Sequence, residues 1–144
     1  MKTKLSARKP WNQRLGKTFH EGLRLWQDLL QRYPDVVGGF FHSDDMALAA
    51  ATMIEGADMQ DQVTIVGIDG QKNACEAILE GRQHASVINP SGRIHGGSVW
   101  AGYLTASGTD QAEGGLPKFI RADGGPITAD NAAGYIWLHD NYQY

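Results

Sequence analysis

Apolar and polar residues follow one another in blocks that predict alternating helices and strands. Between Leu15 and Tyr33, apolar side chains recur at helical spacing with charges between them, as in an amphipathic helix. Two uninterrupted apolar runs resemble strands buried on both faces of a sheet. The predicted elements are helices over 15–33, 44–55 and 71–79 and strands over 36–42, 63–68 and 85–88. This order predicts an α/β fold in which a parallel sheet carries helices on both faces.

The pattern changes after Asn89 and Pro90. Residues 91–97 are rich in glycine and predict a flexible entry to a helix over 98–106. Further on, the sequence predicts a strand over 119–121, a turn over 124–126 and a helix from Thr128 to Trp137. Because proline and glycine mark places that few contacts cross, we expect two units, 11–89 and 90–144.

Composition narrows the function classes. The chain has 144 residues, 42% of them hydrophobic, and a net charge of −3, which suits a globular domain without a basic stripe for nucleic acid. Its one cysteine, Cys75, lies in a predicted helix and is interpreted as a small buried residue and not as a catalytic thiol. No apolar stretch approaches the ~20 residues that cross a bilayer. The N-terminus lacks the apolar core of a secretory signal peptide.

Carboxylates follow both long predicted strands. Ser43, Asp44 and Asp45 follow the first strand, and Asp69 follows the second. The carboxyl ends of parallel strands meet at one edge, where open α/β sheets bind ligands. These acids suit a Mg²⁺-dependent phosphate enzyme, or they cap helices and form a turn. No glycine-rich phosphate loop or partner lysine accompanies them, which disfavours the enzyme.

Other candidate chemistry is weaker. The histidines at 42, 84 and 95 are too far apart in sequence to show the local spacing of a zinc site, so no metal is expected. Trp11 precedes the first predicted helix, where its ring either stacks on a sugar or packs against the helix as a staple.

An ordered set of short segments resembles one family, the ribose- and galactose-type periplasmic sugar-binding proteins of ABC importers. These proteins share their fold with lactose-repressor-type regulators. The set comprises Trp11 with Gly16, Tyr33-Pro34-Asp35, residues 41–48 (FHSDDMAL), residues 66–70 (VGIDG), residues 77–81 (AILEG) and Ala85-Ser86-Val87. No single segment is specific, but their order is.

The resemblance implies a protein with two α/β lobes joined by three crossings, holding a monosaccharide or polyol between them. This chain resembles an incomplete second lobe, and its segment 90–144 is expected to pack on a first lobe that has no counterpart here. The implied function is solute binding in the periplasm for a membrane permease, without catalysis or cofactor. The alternative is the effector-binding core of a lactose-repressor-type transcription regulator.

The resemblance also suggests ligand-binding residues. Trp11 falls where the family stacks a ring on the sugar, Ser43 where it has an asparagine, and Asp69 on its hydroxyl-binding aspartate. Asn89 lies near a hinge position, and Asp44 is added as a further hydroxyl acceptor. Without a second lobe we expect sugar binding in the millimolar range or weaker, and self-association through the helix around Trp100 and Tyr103.

Overall fold

The computed structural model describes residues 11–108, 116, 119, 121–122 and 124–142, with side chains described from residue 20 onward. The elements are α1 (Trp11–Arg32), β1 (Gly38–Phe40), α2 (Asp44–Gly56), β2 (Thr64–Asp69), α3 (Lys72–Leu79), β3 (Ala85–Ile88), α4 (Ser91–Ala106), β4 (Pro126–Ile127) and α5 (Ala132–Asn141). The six elements predicted before residue 89 are confirmed. None of the described helices is long and apolar enough to span a membrane.

The four strands form one sheet in the order β1-β2-β3-β4. β1 pairs with β2 and β2 with β3 in parallel, whereas the two-residue β4 runs antiparallel to β3. The predicted α/β fold with a parallel sheet is therefore confirmed, with one short antiparallel addition. In this register Gly67 lies beside Ser86 and Asp69 beside Ile88, so the carboxyl ends of β2 and β3 lie together.

Two clusters of buried side chains hold the helices on the sheet. The first joins Trp26 of α1, the alanines of α2 and Ile65 of β2, and the second joins Cys75 and Ile78 of α3 to Ile88, Ile127 and Ala132. Side chains alternate along strands, so Ile65 and Ile88 project from the same face.

In the described residues, α1, α2, α3 and α5 lie side by side in one helical layer on that face. The expectation of helices on both faces is not met there. On the opposite face, Val66 and Ile68 are only half-buried and Val87 is exposed.

The last part of the chain differs from the prediction of a separate unit. β4 and α5 return to the sheet and pack beside β3 and α3, because Ile127 and Ala132 are fully buried in the second cluster. The turn predicted over 124–126 becomes β4 at Pro126. The predicted strand over 119–121 falls partly outside the described residues, and Phe119 and Arg121 are not in a strand.

α4 begins at Ser91, so the glycine-rich segment 91–97 is helical and not a flexible entry. None of the α4 side chains is buried. The compact unit therefore comprises 11–89 with 126–141, and α4 lies outside it.

Candidate functional site

The turn after β2 carries Asp69, the first of the candidate ligand-binding residues. Asp69 ends the strand with φ of 125°, and Gly70 follows with φ of 72°, both in the left-handed half of backbone space. A Cβ at Gly70 would also lie only 3.0 Å from Ile127 Cδ1. The turn therefore needs glycine at 70 and holds a non-glycine residue at 69 in a conformation of the kind that clusters at binding sites.

Asn89 lies next to this turn, at the end of β3. Its side-chain amide Nδ2 is 3.4 Å from Asp69 Oδ1, and its backbone amide donates to the Asp69 carbonyl at 3.2 Å. Asn89 is exposed and Asp69 is half-buried. The structure thus brings together a carboxylate and an amide at the open carboxyl edge of the sheet, the two groups that best bind hydroxyls.

Asp44 is placed differently from Asp69. It is fully buried at the start of α2 and accepts hydrogen bonds from three donors of the protein. Oδ1 accepts from Gln83 Nε2 at 3.0 Å, Oδ2 accepts from the Gln71 amide at 2.9 Å, and the Ser86 hydroxyl is 2.7 Å from Oδ1 and 2.9 Å from Oδ2. The carboxylate is therefore saturated by the protein beneath the edge.

Burial raises the pKa of Asp44 above its ordinary value of 3.8, and the hydrogen bonds from Gln71, Ser86 and Gln83 oppose that rise. Because the folded-state pKa exceeds the unfolded one, the fold binds this proton more tightly than the unfolded chain does. The contribution of Asp44 to the free energy of unfolding is therefore greatest below pH 3.8 and falls as the pH rises through the folded pKa.

Ser43 serves as the N-cap of α2. Its Oγ accepts from the Met46 amide at 3.4 Å, and Asp45 lies exposed in the first helical turn, where its charge suits the helix dipole. The N-cap of α2 is therefore Ser43, and not Asp45 as hypothesized. Trp11 begins α1, but its side chain lies outside the described residues.

The described residues contain no group of three or more His, Cys, Asp or Glu side chains placed to hold a metal ion. Both oxygens of Asp44 already accept hydrogen bonds from donors of the protein. The geometry thus gives no support to the Mg²⁺ enzyme.

Three supporting residues were not predicted from the sequence: Gln83, Ser86 and His139. Ser86 and Gln83 are buried and bond Asp44, and His139 Nε2 donates to the Gly70 carbonyl at 2.8 Å. The signal for Ser86 was a serine within an apolar strand, since a buried hydroxyl needs a partner. His139 had no such signal, because its role depends on where α5 packs.

Cys75 is fully buried, and burial together with the nearby Asp44 charge raises its pKa to about 11. We expect native Cys75 to resist a disulfide reagent at pH 8 and to react once the chain is unfolded. The pKa alone lowers the thiolate fraction about a hundredfold relative to the ordinary value of 9.0. The absorbance of the released chromophore after the disulfide reagent is mixed with the chain measures the reaction of Cys75. The same chain in guanidinium is the control. Rapid reaction in native buffer would contradict the buried position.

α4 presents a continuous apolar face. Val99 is 72% exposed, Trp100 65% and Tyr103 61%, and the two rings meet edge-on at 5.8 Å. Apolar side chains exposed together in this way are typical of surfaces that another chain segment covers. Self-association through this face stays a prediction.

Comparison with known proteins supplies independent evidence. A family model described as a periplasmic binding protein domain matches residues 16–110. The D-apiose import binding protein of Paraburkholderia graminis is 34% identical over 71 residues, which are 49% of this chain and 22% of that protein. The ribose import binding protein of Escherichia coli is 36% identical over 67 residues, or 46% of this chain and 22% of that protein. The matched segments thus span about a fifth of these relatives.

A solved structure agrees with the sequence matches. The ABC transporter solute-binding protein of Mycobacterium smegmatis, with bound glycerol, is 28% identical to this chain and superposes with a TM-score of 0.66. The superposition covers 80% of this chain and 38% of that structure. The sequence matches and the superposed fold therefore agree. Because the family model also matches more than half of the residues, this chain belongs to the periplasmic binding protein domain family.

Proposed function

We propose that this chain is part of a solute-binding protein that delivers a monosaccharide or polyol to the membrane permease of an ABC importer in the periplasm, without catalysis. The observation that carries this proposal is the pairing of the Asp69 carboxylate with the Asn89 amide at the open edge of β2 and β3. An ionised carboxylate accepts hydrogen bonds from sugar hydroxyls, and an amide both donates and accepts them. The relatives are named as import binding proteins for D-apiose and for ribose, and these names support the same ligand class.

Within this proposal the predicted ligand-binding residues have different roles. Asp69 and Asn89 contact the ligand directly. Ser43 is half-buried at the start of α2, where its hydroxyl can donate to a ligand while its oxygen caps the helix. Trp11 remains a proposed stacking residue on the strength of the resemblance. None of the relatives reported above is a transcription regulator, so the regulator alternative has no support from them.

Replacing Asp69 with alanine should abolish sugar binding. We expect D-ribose at millimolar concentration to shift the amide resonances of Asp69, Gly70 and Asn89 in the 144-residue chain, measured by heteronuclear NMR titration. Loss of the carboxylate removes a hydrogen bond to a hydroxyl worth on the order of 2 kcal/mol, or about thirtyfold in affinity. A sugar that binds the unchanged chain only at millimolar concentration would then leave the Asp69→Ala chain largely unbound at the same concentration.

The matched control is Asp61→Ala. Asp61 is an exposed aspartate that precedes β2, at the opposite end of the sheet from Asp69. The two substitutions remove the same charge, so only position separates their effects. Equal shifts in both variants, or shifts that acetate, an acid without hydroxyls, reproduces, would contradict a hydroxyl-binding role for Asp69. D-apiose, glycerol and myo-inositol extend the same titration to other ligands.

A further inference from the structure

The Asp69-Gly70-Gln71 turn has a conformation that needs external support. Asp69 has φ of 125°, a region that side-chain-bearing residues rarely adopt. Such a conformation persists only when the surrounding structure fixes it. If Asp69 binds a ligand, the supports of this turn therefore decide where its carboxylate lies.

The supports come from three separate elements. The Gly70 amide donates to Ser86 Oγ of β3 at 3.2 Å, and the Gln71 amide donates to Asp44 Oδ2 of α2 at 2.9 Å. From the other side, His139 of α5 donates to the Gly70 carbonyl. Two consecutive amides are thus held by two side chains that are both fully buried.

Asp44 and Ser86 act as a pair. The Ser86 hydroxyl donates its only proton to the Asp44 carboxylate, so its lone pairs are left for the Gly70 amide. Without the carboxylate, that hydroxyl could rotate and donate elsewhere. Asp44 therefore supports the turn twice, directly through Gln71 and indirectly through Ser86.

We propose that Asp44 is a positioning residue for ligand binding, which acts through Ser86 and the Gln71 amide to fix the turn that presents the Asp69 carboxylate. The role of Asp69 rests on the proposed function, but the state of the turn is measurable without any sugar. Asp44 itself is fully buried, and its hydrogen bonds are to groups of the protein, so we assign it no direct ligand contact. This assignment replaces the earlier expectation that it binds hydroxyls.

The test uses Ser86→Ala and Asp44→Asn in the 144-residue chain. Amide hydrogen exchange by NMR should rise about tenfold or more at Gly70 and Gln71, as expected for loss of one buried hydrogen bond. The three-bond HN–Hα coupling of Asp69, which is small at φ of 125° and large in extended backbone, should increase. Ile54→Val is the control, because Ile54 is buried in the cluster around Trp26 and Ile65 and has no hydrogen-bonding side chain that could support the turn.

The control separates local support from general stability. Exchange at Gly70 and Gln71 that rises only in step with the amides of α2 and α3, as in Ile54→Val, would overturn the proposal. Ready exchange of these two amides in the unchanged chain would overturn it as well, even if both variants failed to fold. A turn that responds as expected in a chain whose Asp69 shows no sugar-induced shifts would overturn the proposed function alone.

Discussion

Replacing Gly67 with alanine is expected to lower the free energy of unfolding by about 3 kcal/mol, through overpacking and loss of a buried hydrogen bond. A Cβ at this position would overlap Asp44 Oδ1 and lie 2.8 Å from Gln83 Nε2 and 3.2 Å from Ala47 Cβ. The fully buried carboxylate would have to move away from its donors. Guanidinium unfolding followed by circular dichroism measures the loss.

Gly56→Ala provides the comparison. A Cβ there meets nothing within 4 Å, and alanine suits the end of a helix better than glycine does, so this variant should be unchanged or more stable by up to about 1 kcal/mol. The two variants add the same methyl group to the same chain. If their unfolding midpoints agreed, the packing of Asp44 against β2 would be looser than the structure indicates.

Ile127→Ala is expected to cost about 3 kcal/mol, within the range of about 2–5 kcal/mol for truncation of a buried isoleucine. Ile127 is fully buried between Cys75, Ile88 and Ala132, and β4 has only one other residue. The substitution should destabilise α5 before the rest of the fold, because the attachment of α5 to α3 depends on this cluster. Hydrogen exchange of the α5 amides, together with the unfolding midpoint, measures both effects.

Val99→Ala is the control for this truncation. Val99 is 72% exposed on α4, so its loss should change stability by no more than about 0.5 kcal/mol. Protection of the α5 amides that survived Ile127→Ala would mean that polar contacts, the Lys72–Asp140 ion pair at 2.5 Å and the His139–Gly70 hydrogen bond, attach α5 more strongly than the apolar cluster does. An exposed pair of this kind contributes little, so we do not expect that result.

Much of the fold was predictable because its periodicities are strong. The apolar runs that became β1 and β2 and the amphipathic pattern of α1 each favour one secondary structure, and their order dictates a parallel sheet. The boundary at Ser91 was not predictable in the same way. Three of the seven residues from 91 to 97 are glycines, at 92, 96 and 97, and glycine neither favours a helix nor fixes one by side-chain packing.

The candidate site was predictable only in outline. Asp69 follows directly from its position at a strand end, whereas Asn89 was suggested only by the family resemblance. The difference between Asp44 and Asp45 was not predictable, because two adjacent residues in the first turn of a helix point in directions that only the docking of α2 decides. One is fully buried and the other is exposed, and no local pattern distinguishes them.

The turn at the sheet edge has a consequence for how ligand preference can change. The three carbonyls of the turn already accept hydrogen bonds: that of Asp69 from Asn89, that of Gly70 from His139 and that of Gln71 from the Cys75 amide. The amides of Gly70 and Gln71 already donate to buried oxygens. An incoming molecule therefore meets these five main-chain groups already hydrogen-bonded within the protein. If Asp69 and Asn89 bind the ligand as proposed, new selectivity can evolve, or be engineered, by exchanging these two side chains while the scaffold that presents them stays as it is.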